Sequence, residues 1–527
     1  MKKLLLLLLL AFLGTGKVHS QAGTEFWFGF MENFGNTNNL HMVVFIATDR
    51  PVSGTISVPL GGYNQSFTIV ADSVFEIELP ATTVMHVGSE IIENKGVHII
   101  TSDSVLVYIL NTRSNSGDGT SILPIQKLGI NYSVLNYYSR DLGIPGHSEF
   151  LIVAPFDSTS IVIESADTTV SGNLPGMPIS IVLNSGQSYQ VQNGDGDLTG
   201  SEITSSLPIA VFAGAKAAEI PSGPGMPGLT ALDHLCEQMI SINNWSTEFV
   251  SVPLLQRDSG DTFRILAIED TTIININGIV TDTLNKGVFL ESILTSSSLI
   301  STNKPVSVAQ YANSLSFDNT TGDPFEIILL PAANSYKKTY FKTYYNSPIS
   351  NFDFLVNIIT KNSATSLVYF DGLQILPSSF IPISGSDFSY ASFQVADGTH
   401  RIESDSGFVA YYYAFDDTDS YGMALTGYSD NNLTGLPQPQ EEEMNLKLFP
   451  NPANKILSIS LPFSSLKESS LTLKVSDVNG KELINRNMVS SLNISMDVSD
   501  LSSGIYFLVL SDNNNKIIGK SKFCIQR

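Results

Sequence analysis

Residues Phe150 to Ser165 read FLIVAPFDSTSIVIES. An apolar run, a turn supplied by Pro155, Asp157 and Ser158, and a second run rich in β-branched residues make this a hairpin-like pair of strands. The same pattern stands at MVVFIATDRPVSGTISV (Met42 to Val58), FRILAIEDTTIININ (Phe263 to Asn277) and FLVNIITKNSATSLVYF (Phe354 to Phe370). Each pair is preceded by an aromatic strand: TEFWFGF from Thr24, NYSVLNY from Asn131, TEFVSVP from Thr247 and TYFKTYY from Thr339. Each is followed by a strand after a polar turn: SDSVLVYIL at Ser102, SSLPIAVFA at Ser205, TNKPVSVAQYA at Thr302 and SDSGFVAYYYA at Ser404. With Phe26, Tyr132, Phe249 and Tyr340 as markers, the unit recurs after 106, 117 and 91 residues. Three elements in one order, four times over, predict an all-β chain of about four tandem antiparallel repeats. A β-sandwich is the favoured form, because it buries two inner sheet faces against each other. The alternative is a β-propeller in which each unit supplies two blades of roughly 40 to 45 residues.

The chain has 527 residues, of which 43% are hydrophobic and 15% charged, enough apolar material for several cores. Residues 1–20 combine Lys2 and Lys3, an apolar run from Leu4 to Leu13 and a small-residue end at Ser20, the pattern of a secretory signal peptide. That run is too short to span a bilayer, and no later stretch is long enough, so no membrane span is expected once the signal is removed. The net charge of −22 is unevenly placed. Residues 445–527 hold 10 Lys and Arg against 6 Asp and Glu, while residues 21–444 hold 15 basic against 44 acidic ones. Such a body lacks the clustered cations that phosphate contacts need, which argues against nucleic acid as a partner. Cys236 and Cys524 are the only cysteines, so no disulfide framework supports the fold. The stretch TGYSDNNLTGLPQPQEEEMN (Thr426 to Asn445) lacks periodicity and divides the chain into residues 21–430, a linker at 431–445 and a tail at 446–527.

The stretch richest in functional side chains is DHLCEQMISINNWSTEFVSVP, Asp233 to Pro253. Asp233, His234, Glu237, Gln238 and Trp245 are its candidate binding residues. Carboxylates beside an imidazole would suit metal ligation or acid and base work. The spacing, however, is not that of a metal motif, and a serine-nucleophile elbow is missing, since GHSEF at Gly146 lacks the final glycine. The competing reading is structural: His234 and Glu237 satisfy buried backbone groups in a long connection into the third repeat, and Trp245 is a core aromatic. No catalytic residue and no metal site is expected. Two acidic loops bear on calcium. NGDGDLTGSE (Asn193 to Glu202) has Leu198 and Thr204 where an EF-hand needs Gly and Glu, and Asp416, Asp417 and Asp419 cluster in a turn. Turn chemistry accounts for both, so no cofactor is expected, with calcium as the alternative.

The tail resembles the C-terminal sorting domain of proteins exported by the type IX (Por) secretion system of Bacteroidetes. The matching motifs are LKLFPNPANKILSIS (Leu446 to Ser460), LKVSDVNGKEL (Leu473 to Leu483) and VSDLSSGIYFLVL (Val498 to Leu510). Pro450, Asn451, Pro452, Gly480, Gly504 and Tyr506 are their marker residues, and together they predict a small Ig-like β-sandwich. The resemblance implies export to a secreted or outer-surface location by the type IX machinery, with the tail as recognition element. The ending, FCIQR, is less basic than the usual finish, although Lys516, Lys520, Lys522 and Arg527 keep it basic.

The body resembles the IgGFc-binding protein N-terminal domain family. The resemblance lies in Asp233 to Pro253, DGTSILPIQKLG (Asp118 to Gly129), FRILAIEDTTIIN (Phe263 to Asn275), PVSVAQYA (Pro305 to Ala312) and DSYGMALTG (Asp419 to Gly427). It implies a non-enzymatic binding or adhesion module with a glycoprotein, polysaccharide or cell-surface ligand. Two other classes remain: a secreted polysaccharide-acting hydrolase, whose paired carboxylates only a structure would reveal, and a structural component of a matrix or gliding surface.

Overall fold

The computed structural model describes residues 21–35, 39–139, 146–223, 231–318, 320–345, 351–429, 444–445, 447–460, 470–477, 481–489, 493–511 and 517–526. The expected signal peptide, nearly all of the expected linker and Gly480 lie outside the described residues. The chain forms two compact units, Met1–Thr434 and Gly435–Arg527.

The first unit holds four similar repeats of seven strands. In the first these are Gly23–Phe28, His41–Thr48, Val52–Val58, Tyr63–Ile69, Ser73–Leu79, Val97–Arg113 and Ser116–Ile122. Their order across the sheet is fourth, third, sixth, second, fifth, and the first and seventh strands also pair with the sixth. The other repeats share this topology; the second also borrows Ile92–Glu93 from the first, and the fourth adds Ile381–Pro382.

The sixth strand organises each repeat: Val97–Arg113, Glu202–Ala218, Ser298–Tyr311 and Thr399–Phe415. Its beginning pairs with the first and third strands, as in Ile99 with Phe26 and Ile56. Its end pairs with the second and seventh, as in Leu110 with Val43 and Gly119. One strand therefore runs through two sheets and turns a corner between them, which closes the repeat into a sandwich-like half-barrel. The polar triplets that read as turns in the sequence are these corners, inside continuous strands. A hydroxyl bends the backbone there by bonding a carbonyl two residues on: Thr101 Oγ1 to Asp103 O at 2.8 Å, Ser205 Oγ to Leu207 O at 2.7 Å and Thr302 Oγ1 to Lys304 O at 2.6 Å.

Burial explains why the two strands of each hairpin differ in pattern. Strand Thr159–Glu164 alternates strictly between buried and exposed residues, one face to the core and one to water. Its partner class is apolar almost throughout, and Val43 to Thr48 are buried without a break. The second face of such strands packs on a neighbouring repeat. Phe45 stacks on Tyr108 with ring centroids 4.7 Å apart and meets the edge of Tyr344 of the fourth repeat. Lys342 donates its N–H to Tyr108 Oη at 2.7 Å, so the fourth repeat closes back onto the first. Between the second and third repeats the pin is Arg264. Its guanidinium lies 3.9 Å from the Tyr137 ring centroid and 4.3 Å from that of Phe289. It also bonds Asp197 at 2.7 Å and Glu291 at 2.8 Å. Burial works against its charge, and Asp197, Tyr137, Tyr311 and Glu291 together more than offset that, so the guanidinium is held above its ordinary pKa.

The seventh strands are Ser116–Ile122, Asp233–Gln238, Glu326–Ile328 and Ser420–Leu425, and all are buried along their whole length. They form a ring at the middle of the unit. The first packs against the second and the fourth, and the third against the second and the fourth. Asp233–Gln238 is thus the innermost strand of the second repeat, where the sequence reading takes it for a connection into the third. The third repeat begins at Ser246–Ser251, after a short 3-10 turn at Ile242–Asn244.

The second unit is a small sandwich of a five-stranded and a three-stranded sheet. Its core includes Leu457, Leu473, Val475, Met496, Leu508 and Phe523. No helix among the described residues is long and apolar enough to cross a membrane.

Candidate functional site

The ring is held by carboxylates that bond to backbone. Asp118, on the first inner strand, is fully buried. Its Oδ1 accepts the N–H of Gly119 at 2.8 Å and of Gly422 at 3.2 Å. Its Oδ2 accepts the N–H of Cys236 at 3.1 Å and of Glu326 at 3.0 Å. One side chain therefore takes a donor from the inner strand of every repeat. Burial raises its pKa well above the usual carboxylate range, and the four N–H donors pull the other way. The strands approach this closely because glycines face them. A Cβ on Gly119 would stand 2.8 Å from Met423 Cε of the fourth repeat, and one on Gly422 would stand 2.4 Å from the Phe325 ring of the third.

Four of the five candidate binding residues share the second inner strand, and their bonds run mostly to neighbouring repeats. Asp233 Oδ1 accepts the N–H of Gly117 at 2.6 Å and of His234 at 2.7 Å. Glu237 receives the Thr120 hydroxyl at 2.5 Å and the Ile328 N–H at 3.2 Å. Gln238 Oε1 receives the Leu123 N–H at 2.6 Å. His234 Nδ1 lies 2.9 Å from the carbonyl of Ala215, so Nδ1 carries the proton and Nε2 accepts from Asn111 Nδ2 at 3.0 Å. Trp245 stands apart from them, half-buried, with its Nε1–H donated to Ile240 O at 2.9 Å. Asp233, His234, Glu237 and Gln238 are thus buried together as a joint between repeats.

Burial dominates the electrostatics. It pushes the carboxyls of Glu237 and Glu326 well up, and the nearby Asp118 adds to both. The Tyr311 hydroxyl lies 3.0 Å from both Asn136 O and Glu326 Oε1. With one proton to give and a carbonyl that only accepts, the geometry fits a Glu326 that keeps its own proton.

Burial also pushes His234 down to about 3 and His86 down to about 4. Both are depressed relative to an unfolded value of about 6.5. Above that pH neither state is protonated; below it the unfolded chain takes up protons that the folded one refuses, so stability is lost as pH falls. The raised carboxyls act in the opposite sense, since their contribution is present at low pH and lost as pH rises. The histidine effect is isolated by comparing His234→Gln with the parent chain in urea at pH 7 and pH 4.5. The parent should lose more stability over that interval, by roughly 1.4 kcal/mol per pH unit, and parallel behaviour of the two chains would contradict the burial argument.

The sequence reading misses Asp118 as the hub and Asp323 as a partner of Asp233. A signal for both exists. An aspartate stands in or just before each inner strand, in DGTSILP, DHLCEQM, DPFEIILLP and DSYGMALTG, at Asp118, Asp233, Asp323 and Asp419. Burial raises Asp233 well above its ordinary range, and Asp419 and Asp323 add to this through their charge.

The loops weighed for calcium engage protein partners. Asp197 holds Arg264, Asp195 accepts from Tyr138 at 2.9 Å, and Asp416 accepts the N–H of Asp417 at 2.8 Å. Among the described residues no group of three or more His, Cys, Asp or Glu is placed to hold a metal ion. Both cysteines are free thiols.

In the second unit, Pro450, Asn451 and Pro452 form an exposed turn. Asn451 Oδ1 accepts the Cys524 N–H at 2.9 Å, which ties the first motif to the last strand. Gly504 opens strand Gly504–Ser511. Tyr506 stacks on Phe523 with centroids 5.6 Å apart, and its hydroxyl donates to Ser502 O at 2.8 Å.

A four-repeat β body with its polar chemistry turned inward, joined in one chain to a small sandwich, defines a two-part, all-β protein. The family comparison names both parts. The model described as IgGFc binding protein matches residues 118–414, so the chain belongs to that family. The model described as a secretion system C-terminal sorting domain matches residues 447–526. The human IgGFc-binding protein is 23% identical over 397 residues, covering 72% of this chain and 7% of that protein. The chain thus spans only a small part of that relative's length. A solved biofilm associated protein (BSP domain) aligns over 80% of this chain and 77% of its own at 9% identity, with a TM-score of 0.18, too low to bear on the fold. The sorting domain marks the protein as secreted or placed on the outer surface, with the C-terminal domain addressing the secretion machinery.

Proposed function

We propose that the repeat region is displayed at the cell surface and binds a glycoprotein, polysaccharide or other cell-surface ligand. The observation that carries this reading is the pairing in one chain of the family match over residues 118–414 with the sorting-domain match over 447–526. In this reading Asp233, His234, Glu237 and Gln238 serve binding by fixing the four repeats in register. Trp245, half-buried, keeps some surface for a ligand.

The test is a glycan and glycoprotein array probed with the full chain, with immunoglobulin Fc as one arm because the human relative bears that name. Saturable binding to one class, lost on heat denaturation, is the expected result. No binding to any class, together with unchanged attachment of cells that lack the protein, would overturn the reading. Release of reducing sugar from a polysaccharide arm would favour the hydrolase class instead.

A further inference from the structure

The fifth strand lies on the outer side of every repeat, and its four edges are treated differently. In the second repeat the edge of Ser188–Gln192 is taken up: Ile92–Glu93 of the first repeat pairs with it, Glu90 donates its N–H to Gln190 O, and Val170 donates to Gln192 O. In the fourth, Ile381–Pro382 lies along Phe388–Val395. In the first, Ser73–Leu79 meets the fourth repeat, with Glu76 bonded to Lys342 at 2.7 Å. In the third, Phe289–Leu294 is the last strand of its sheet.

The reason is local. Ile92 and Glu93 stand four and three residues before Gly96, which approaches Gly186 so closely that a Cβ would lie 2.9 Å from Gly186 O. Gly200 and Gly287 repeat this contact between the second and third repeats, with a corresponding distance of 2.7 Å. Counted back from Gly200, the equivalents of Ile92 and Glu93 are Gly196 and Asp197. Gly196 bridges to Ser139 within its own repeat, and Asp197 bonds Arg264 at 2.7 Å, so neither pairs with the edge.

Ala267 donates its N–H to Val288 O at 3.1 Å, and the register sets Arg264 opposite Glu291. Antiparallel alternation then turns the N–H and C=O groups of Leu290, Ser292 and Leu294 toward the neighbouring strand Asp261–Ala267, and those of Phe289, Glu291 and Ile293 outward. Among the described residues these outward groups have no backbone partner. Val288 is 47% and Ile293 42% exposed, and Arg264 engages the carboxylate of Glu291. Native edges are commonly guarded by a lysine or a proline, and this strand carries neither.

We propose that the edge of Phe289–Leu294 is a strand-addition site for an extended segment of a partner protein, with a β-branched apolar residue laid beside Ile293. The occupants of the equivalent edges set that chemistry, since both begin with isoleucine. A polypeptide supplies donors and acceptors at the spacing the edge needs, which a polysaccharide does not. Charge disfavours a second copy of this chain. Residues 21–444 hold 44 acidic against 15 basic residues, so two bodies repel, and a neutral or basic segment is favoured. A chain that fails the test below still leaves surface glycan binding open to the array.

The test is fluorescence anisotropy of the full chain with a labelled heptapeptide, SQIIQNK, the sequence of residues 89–95 with both glutamates replaced by glutamine. Saturable binding is expected. N-methylation of both isoleucines should weaken it at least tenfold, because one of any two neighbouring amides faces the edge. Ile293→Pro removes an outward N–H and spares the ladder to Asp261–Ala267, so it should also weaken binding at least tenfold. No saturable binding, equal binding of the methylated peptide, or full binding by a folded Ile293→Pro variant would overturn the proposal. So would self-association of the parent chain that Ile293→Pro abolishes, since the edge would then belong to a second copy. The methylated peptide, tested on the parent chain, decides the matter even where the variant fails to fold.

Discussion

Asp118→Ala is expected to abolish cooperative folding of the repeat unit. The substitution strands the N–H groups of Gly119, Cys236, Glu326 and Gly422 among fully buried strands. Each buried unsatisfied donor costs about 1 to 3 kcal/mol. Four of them exceed about 4 kcal/mol, a large share of the roughly 5 to 15 kcal/mol by which domains are stable. An opposing term exists, because alanine removes a carboxylate whose burial is itself costly. The donors win, since the glycines that let the strands close on Asp118 leave no room for other side chains to collapse into the gap. Asn retains one acceptor oxygen and turns an NH2 toward two donors, so Asp118→Asn should fall between. Urea unfolding followed by tyrosine fluorescence checks the order, and an alanine variant with the parent's midpoint would remove Asp118 from its place as hub.

Removal of residues 446–527 is expected to eliminate surface display while leaving the body folded. The sorting domain lies wholly in the second compact unit, and the described residues of the repeats' hydrophobic cores all belong to the first. Its recognition motifs are set by its own contacts, such as Asn451 to the Cys524 N–H and Tyr506 to Ser502 O. Loss of the domain is therefore a loss of address. Protease shaving of intact cells, set beside periplasmic extracts, should find the truncated body in the periplasm and essentially none outside. Normal display of the truncated chain would show that the tail is dispensable.

The hairpins were legible because they are local. In FLIVAPFDSTSIVIES and its three counterparts, strand period, turn chemistry and apolar content point the same way within about sixteen residues. The corners were misread because SDS and TNK have the composition of turns. What bends the chain there is a hydroxyl bonding two residues ahead within a strand that stays paired on both sides of it. The inner strands were least legible. Asp233–Gln238 mixes acid, imidazole, thiol and amide at full burial, with neither alternation nor an apolar run to mark it as a strand. Such a segment is stable only because the polar groups it buries find partners in other repeats, and those partners lie about 90 to 120 positions away, as Gly117 and Thr120 do from Asp233 and Glu237.

The sequence by itself determined the all-β character, the count of four repeats and a separate basic tail, because strand periodicity, turn residues and charge composition act over short spans; the tail's sorting role came from its resemblance to a known domain family. Only the tertiary structure decided that the repeats close around a ring of inner strands, that Asp118 bonds all four, and that Asp233 and Asp323 share one end of that ring. These depend on which backbone donors and carboxylates meet after the chain has returned on itself four times, and hydrogen bonds between distant strands leave no period in the sequence.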